Sequence, residues 1–113
     1  MANPSKQKGT KAETAVVRYL GQLGIQARRN VLHGSADEGD ITAEIAGCDV
    51  CIEVKNRKRI ELAKWMGEMV AERQNAMADS GMLVVKPEGV GLEKVGKWFV
   101  CMEIDDLMRM VSR

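Results

Sequence analysis

Two short β-prone runs, Ile41 to Ile45 and Val50 to Val54, are joined by Ala46-Gly47-Cys48-Asp49, and this pairing limits the fold more than any other feature. The link has turn chemistry, so the runs are expected to form a hairpin. Gly39-Asp40 stands where the first run begins, and Glu53-Val54-Lys55 closes the second. Side chains alternate faces along a strand, so Glu53 and Lys55 point one way and Val54 the other. Val50, Ile52 and Val54 then share a buried face, and the turn brings Asp40 back towards Glu53. Two carboxylates converging from adjacent strands make a hard-oxygen site suited to Mg²⁺ or Mn²⁺. A lysine beside them can orient an attacking water and stabilise charge on a phosphate. Singly, each residue has an ordinary role: Glu53 and Lys55 as a surface ion pair, Asp40 as turn chemistry. Together, in this placement, they point to a site.

The flanking sequence builds an α/β frame around the hairpin. Ala12, Ala15, Val16, Tyr19, Leu20 and Leu23 recur at helical spacing. Thr10 to Glu13 reads as a capping box and Gly24 as the stop. Ile25 to Leu32 is expected to be a strand, and His33 to Gly39 a polar loop. A long helix is expected from about Glu61 to Ser80, buried through Leu62, Met66, Met69, Val70 and Met77 and closed by Gly81. Met82 to Val85 and Trp98 to Met102 read as strands, Pro87 to Gly91 as a loop, and a short helix follows from about Asp105. The second helix would cross over to lay Met82 to Val85 beside the earlier strands. The expected fold is one mixed sheet flanked by helices.

The 113 residues fit a single domain, with Met1 to Lys8 as a loose basic tail. No apolar run approaches the ~20 residues of a membrane span, and the N-terminus lacks a secretory signal, so a cytoplasmic protein is expected. Cys48, Cys51 and Cys101 are an odd count and read as reduced thiols. Cys48 and Cys51 would face opposite sides of a strand, which argues against zinc. The net charge of +1 hides local patches. Lys6, Lys8, Lys11, Arg18, Arg28 and Arg29 precede the loop, and Lys55, Arg57, Lys58 and Arg59 interrupt an acidic remainder. Such patches suit a polyanion that meets one face, or a solvated charged surface.

Gly39-Asp40 followed by Glu53-Val54-Lys55 resembles the PD-(D/E)XK nuclease superfamily, and the element order is similar to its αβββαβ, restriction-endonuclease-like core. More narrowly, the chain resembles the archaeal-type Holliday junction resolvases. Lys8-Gly9-Thr10-Lys11-Ala12-Glu13, Leu20 to Gly24, Arg28-Arg29, Gly34-Ser35, Gly39-Asp40 and Glu53 to Arg57 carry that resemblance. It implies a metal-dependent endonuclease that cuts branched DNA as a homodimer. Glu13, Asp40 and Glu53 would hold Mg²⁺, with Mn²⁺ as a substitute, and Lys55 and Ser35 would complete the catalytic set. Lys8, Lys11, Arg28, Arg29, Arg57, Lys58 and Arg59 would contact DNA. The superfamily's usual proline before the first acid is Gly39 here, and Asp37 and Glu38 compete with Asp40 for that role. Arg73 and Gln74 lie where superfamily members often carry an assisting polar residue, and His33 is a loop residue within reach of DNA. Another nuclease of this superfamily (exonuclease, nickase or restriction type) and an inactive DNA-binding module are the rival readings. Trp65, Met66, Met69, Met82, Trp98, Phe99, Met102, Met108 and Met110 give the second half generous apolar surface. A dimer contact is therefore expected around Trp98, Phe99 and the last helix.

Overall fold

A computed structural model describes residues 3–31 and 37–112, Ser5 by its backbone alone. His33 and Ser35 lie outside the described residues. Helix α1 (Pro4–Gln22) leads into strand β1 (Ala27–Arg29) and the hairpin β2 (Ile41–Ile45) and β3 (Cys48–Lys55). Helix α2 (Leu62–Ala76) crosses to β4 (Ser80–Val85). A kinked 3₁₀ segment (Leu92–Lys97), β5 (Phe99–Cys101) and α3 (Ile104–Val111) complete the described chain. The five strands lie side by side in sequence order, all antiparallel except β3 with β4. The expected α/β fold, one mixed sheet flanked by helices, is thus the observed one.

Period-two alternation divides β3 between two layers. Cys48, Val50, Ile52 and Val54 join Ala12 and Val16 of α1, Ile41 and Ala43 of β2, Val84 and Trp98 in one core. Trp65 of α2 packs on Leu83 and Val85 across the other face. Both faces of β3 are covered, as expected of a central strand with a parallel neighbour. The hairpin turns in two residues, Ala46 and Gly47, both at positive φ (54° and 75°), which matches the right-handed strand twist. Cys48 and Cys51 are free, buried thiols on opposite faces.

Several boundaries differ from expectation. Helix α1 opens at Pro4, so Thr10 and Glu13 are interior and form no capping box; the stretch read as a loose tail is helical from Pro4. Strand β1 spans three residues, since only Ala27, Arg28 and Arg29 find partners on β2. Helix α2 ends at a left-handed Met77, and Gly81 belongs to β4. There Gly81 serves close approach: a Cβ would meet Met69 and Arg73 of α2. The buried face of α2 is Trp65, Met69 and Glu72, while Leu62 and Met77 of the expected stripe are exposed. Trp98, expected at a dimer contact, is core, its indole N–H donating to Gly91 O at 3.2 Å.

Candidate active site

The end of the sheet where β2 begins and β3 finishes gathers acids from four segments. Asp40 is fixed by pairing: its N–H donates to Ile52 O at 3.1 Å, and the Val54 N–H donates to Asp40 Oδ2 at 2.8 Å. The approach to Asp40 is braced as well. Asn30 Nδ2 donates to Gly39 O at 3.2 Å, and Thr42 Oγ1 donates to Asn30 Oδ1 at 3.0 Å. Gly39 turns at φ +88°, its N–H donating to Asp37 Oδ1 at 2.9 Å. A Cβ on Gly39 would stand 2.7 Å from Cys51 Sγ.

Glu53 extends from β3 towards α2 and is buried, with Oε1 lacking any donor. Lys55 Nζ lies 3.4 Å from Glu53 Oε2 and 3.0 Å from Glu68 Oε1 of α2, and 5.8 Å from the centre of the Trp65 ring. Glu72, one turn beyond Glu68, is only 4% exposed, and neither of its carboxylate oxygens has a donor. Glu13 of α1 comes from the opposite layer and accepts from Arg29 Nε at 3.2 Å. The hairpin and strand residues expected at the site, Asp40, Glu53 and Lys55, meet there, with Glu13 close by.

Electrostatics tie these acids together. Burial, then the charge of Glu53, push the Asp40 carboxyl up to about 8. Burial raises Glu53 to about 7, against a hydrogen bond from Asp40, with Glu72 adding repulsion. Burial likewise lifts Glu72 to about 8, with Asp37 and Asp40 contributing. Glu13 is raised by burial and by Asp40, in opposition to Arg29. Burial disfavours the charge on Lys55, yet its hydrogen bond to Glu68 and the charge of Glu53 prevail and its pKa rises. Asp40, Glu53 and Glu72 thus have their pKa raised by neighbouring charges along a continuous run of acids that ends at Asp37. As bare carboxylates they would only repel, because none can donate. Among the described residues, no three His, Cys, Asp or Glu side chains converge as a ready-made metal cage.

Of the competing acids, Asp40 faces Glu53, Asp37 turns to Glu72, and Glu38 is exposed. Sequence reasoning missed Glu68 and Glu72. Glu72 was detectable from its spacing, since Trp65, Met69 and Glu72 fall on one helical stripe. Arg73 instead turns towards Asp106 (3.8 Å), and Gln74 is exposed. Cys51 is pushed up to about 12, first by burial and then by the surrounding acids, so it is an inert thiol.

The basic candidates divide. Arg57, Lys58 and Arg59 line a groove of about 520 Å³ with Lys55, Lys64 and Trp65. Arg28 faces the other side of β1, in a groove shared with Glu44 and Asp49. Lys11 lies between α1 and the 3₁₀ segment, and Lys8 is exposed on α1.

Sheet order and helix placement define the restriction-endonuclease-like α/β fold. Among solved structures, the chain is similar to that of Hjc from Archaeoglobus fulgidus, a Holliday junction resolvase from an archaeal hyperthermophile. The match has a TM-score of 0.59 and 24% identity, and covers 84% of this chain and 72% of that one. No protein-family model and no curated protein sequence matches the chain.

Proposed function

We propose that this chain is a metal-dependent endonuclease that resolves branched DNA, four-way junctions above all, by hydrolysing backbone phosphodiesters. One observation carries the reading: half-buried Asp40 and buried Glu53 meet beside Lys55, with Glu53 Oε1 left without a donor. The shared fold with a Holliday junction resolvase supports the same reading. The donor set fits Mg²⁺ or Mn²⁺. It is all oxygen, it is short of positive charge, and burial leaves an orphaned acceptor in place. Asp40, Glu53 and Glu13 would hold the ion. When bound, it supplies Lewis-acid polarisation of the phosphoryl oxygen and a lowered pKa for the attacking water.

The chain's own residues do the rest. Lys55 keeps its proton at neutral pH and offers it near Glu53, where it can orient water and balance charge on the phosphate. To hold an ion, Glu13 would give up its ion pair with Arg29, and the guanidinium would then be available to a DNA phosphate. Arg57, Lys58 and Arg59 give the backbone a basic track beside the site. The described residues hold no obvious base-reading helix, so selectivity would come from shape and phosphate geometry. Ser35 remains a proposed member of the catalytic set on the resemblance alone. A junction is two-fold symmetric, so paired cuts call for a homodimer. No described helix is long and apolar enough to cross a membrane, and we place the activity in the cytoplasm.

The test is cleavage of four-way, flap and linear duplex DNA, with Mg²⁺ and with chelator. Wild type should cut the junction only with metal. Asp40→Asn and Glu53→Gln should lose activity by on the order of 100-fold or more while still binding DNA, and Lys55→Ala should lose a similar factor. Equal cutting of linear duplex would indicate another kind of nuclease. Binding without cutting would indicate a module that has lost catalysis.

A further inference from the structure

We infer that Glu68 of α2 is a positioning residue for the proposed hydrolysis: it holds the Lys55 ammonium against the Trp65 ring, aimed at the basic groove where a phosphate would lie. The inference rests on the nuclease reading above and adds to it a residue outside the motif. A lysine ends in a point charge on a flexible four-carbon stem with many rotamers. In an open groove such an ammonium acts at a fixed point only if it is tethered. Glu68 Oε1 lies 3.0 Å from Lys55 Nζ, nearer than Glu53 Oε2 at 3.4 Å. The Trp65 ring backs the same nitrogen, its centre 5.8 Å away. Trp65 is itself held in the core by Leu83 and Val85.

Helix spacing supplies the partnership. Trp65 and Glu68 are three residues apart on α2 and so share a face, the one that meets the end of β3. An ammonium has three donors. Glu68 and Glu53 take two of them, which leaves the third for water or a phosphate oxygen. Glu53 is also proposed as an ion ligand, so its hold on Lys55 is divided, whereas that of Glu68 is not. Stability does not explain the pair, because the Glu68 side chain is 39% exposed and ion pairs at such positions contribute little. Nor does DNA affinity. Glu68 lines the groove with Arg57, Lys58, Arg59 and Lys64, where a carboxylate repels phosphate. The groove's other acid, Glu61, stands 4.0 Å from Lys64. A charge that weakens binding and adds little stability is accounted for by its hold on Lys55.

Two measurements on the full chain test this. The first is proton–nitrogen correlation NMR of the lysine ammonium groups, without DNA or metal, where a tethered ammonium gives a signal and a free one exchanges away. The wild type should show such a signal for Lys55, identified by its loss in Lys55→Ala, and Glu68→Gln should abolish it. The second uses a synthetic four-way junction, with affinity measured in chelator and the single-turnover rate of the bound complex measured with Mg²⁺. Glu68→Gln should cut about 10–100-fold more slowly, yet bind the junction as tightly as the wild type or about twofold tighter, since a repelling charge is gone. A merely structural residue would not divide rate from affinity in this way. An unchanged rate, a faster rate, or an affinity that falls with the rate would each overturn the inference, as would a Lys55 signal that survives in Glu68→Gln. A wild type that binds but never cuts would overturn the nuclease reading, and the Lys55 signal would then still decide whether Glu68 holds the ammonium.

Discussion

Asp40, Glu53 and Glu72 are acids that the fold holds at about 8, 7 and 8, far above their ordinary values of 3.8, 4.5 and 4.5. Without metal, the native state keeps these protons between roughly pH 4 and 8, whereas the unfolded chain releases them. Stability rises with pH only where the unfolded state binds more protons, so here it falls across that window. The metal-free protein should therefore melt at a higher temperature at pH 5 than at pH 8. Millimolar Mg²⁺ should restore most of the difference at pH 8, because the ion replaces the protons. Asp40→Asn should flatten the metal-free profile, since its amide oxygen can still accept from Val54 but no longer titrates. Calorimetry at several pH values checks this, and a melting temperature that climbs from pH 5 to 8 without metal would refute the raised acid pKa values.

At the scale of elements, the segment before β2 deserves a prediction of its own, because the resemblance expects proline where Gly39 stands. Gly39 has φ +88° and donates its N–H to Asp37. Proline permits neither, as its ring holds φ near −65° and it lacks the donor. Gly39→Pro should cost about 3 kcal/mol or more, and Gly39→Ala about 1–3 kcal/mol, by denaturant unfolding. A neutral Gly39→Pro would mean that this backbone is held differently.

The hairpin was legible because alternation, a turn and the two acids all specify the same register. Its pairing of Ile41 with Ile52 puts Asp40 beside Glu53 as expected. The crossover to β4 was legible for a similar reason, a helix-length segment between two apolar runs. What could not be read was phase and extent. Helix α2 carries Leu62, Met66, Met69, Val70 and Met77 as an apparent stripe, of which Met69 is buried, but the face against the sheet is centred on Trp65, Met69 and Glu72. That rotation turns Glu72 inward, so the error in phase and the missed acid have one cause. Helix α1 reaches back to Pro4, beyond the residues that look like a cap. Gly81 looks like a helix stop, yet it is spaced for α2 to cross β4 closely.

At the scale of the whole molecule, the apolar surface expected in the second half is there, though redistributed. Trp65, Met69 and Trp98 are core, while Phe99, Val100, Ile104, Leu107, Met108 and Val111 are exposed along β5 and α3. We take this face as the homodimer contact of the proposed function. Phe99→Glu with Ile104→Glu should yield a monomer near 12.5 kDa by sedimentation, with a native spectrum and stability changed by only about 0.5 kcal/mol per site. The variant should nick junctions without making paired cuts. A wild-type chain that sediments as a monomer while still making symmetric cuts would remove the dimer.

The two margins of the sheet are unlike. The β1 margin is three residues long and carries Arg28 and Arg29, whereas the β5 margin carries Phe99 and Val100. Charge on one border blunts it against strand addition, which leaves β5 as the apolar border among the described residues. An object with one such border can pair with its own image and then has nothing further to offer. Polymerisation would need a second, different surface complementary to the first. The proposed association through β5 would therefore be self-terminating: raising the concentration should saturate the pairs and yield no fibres.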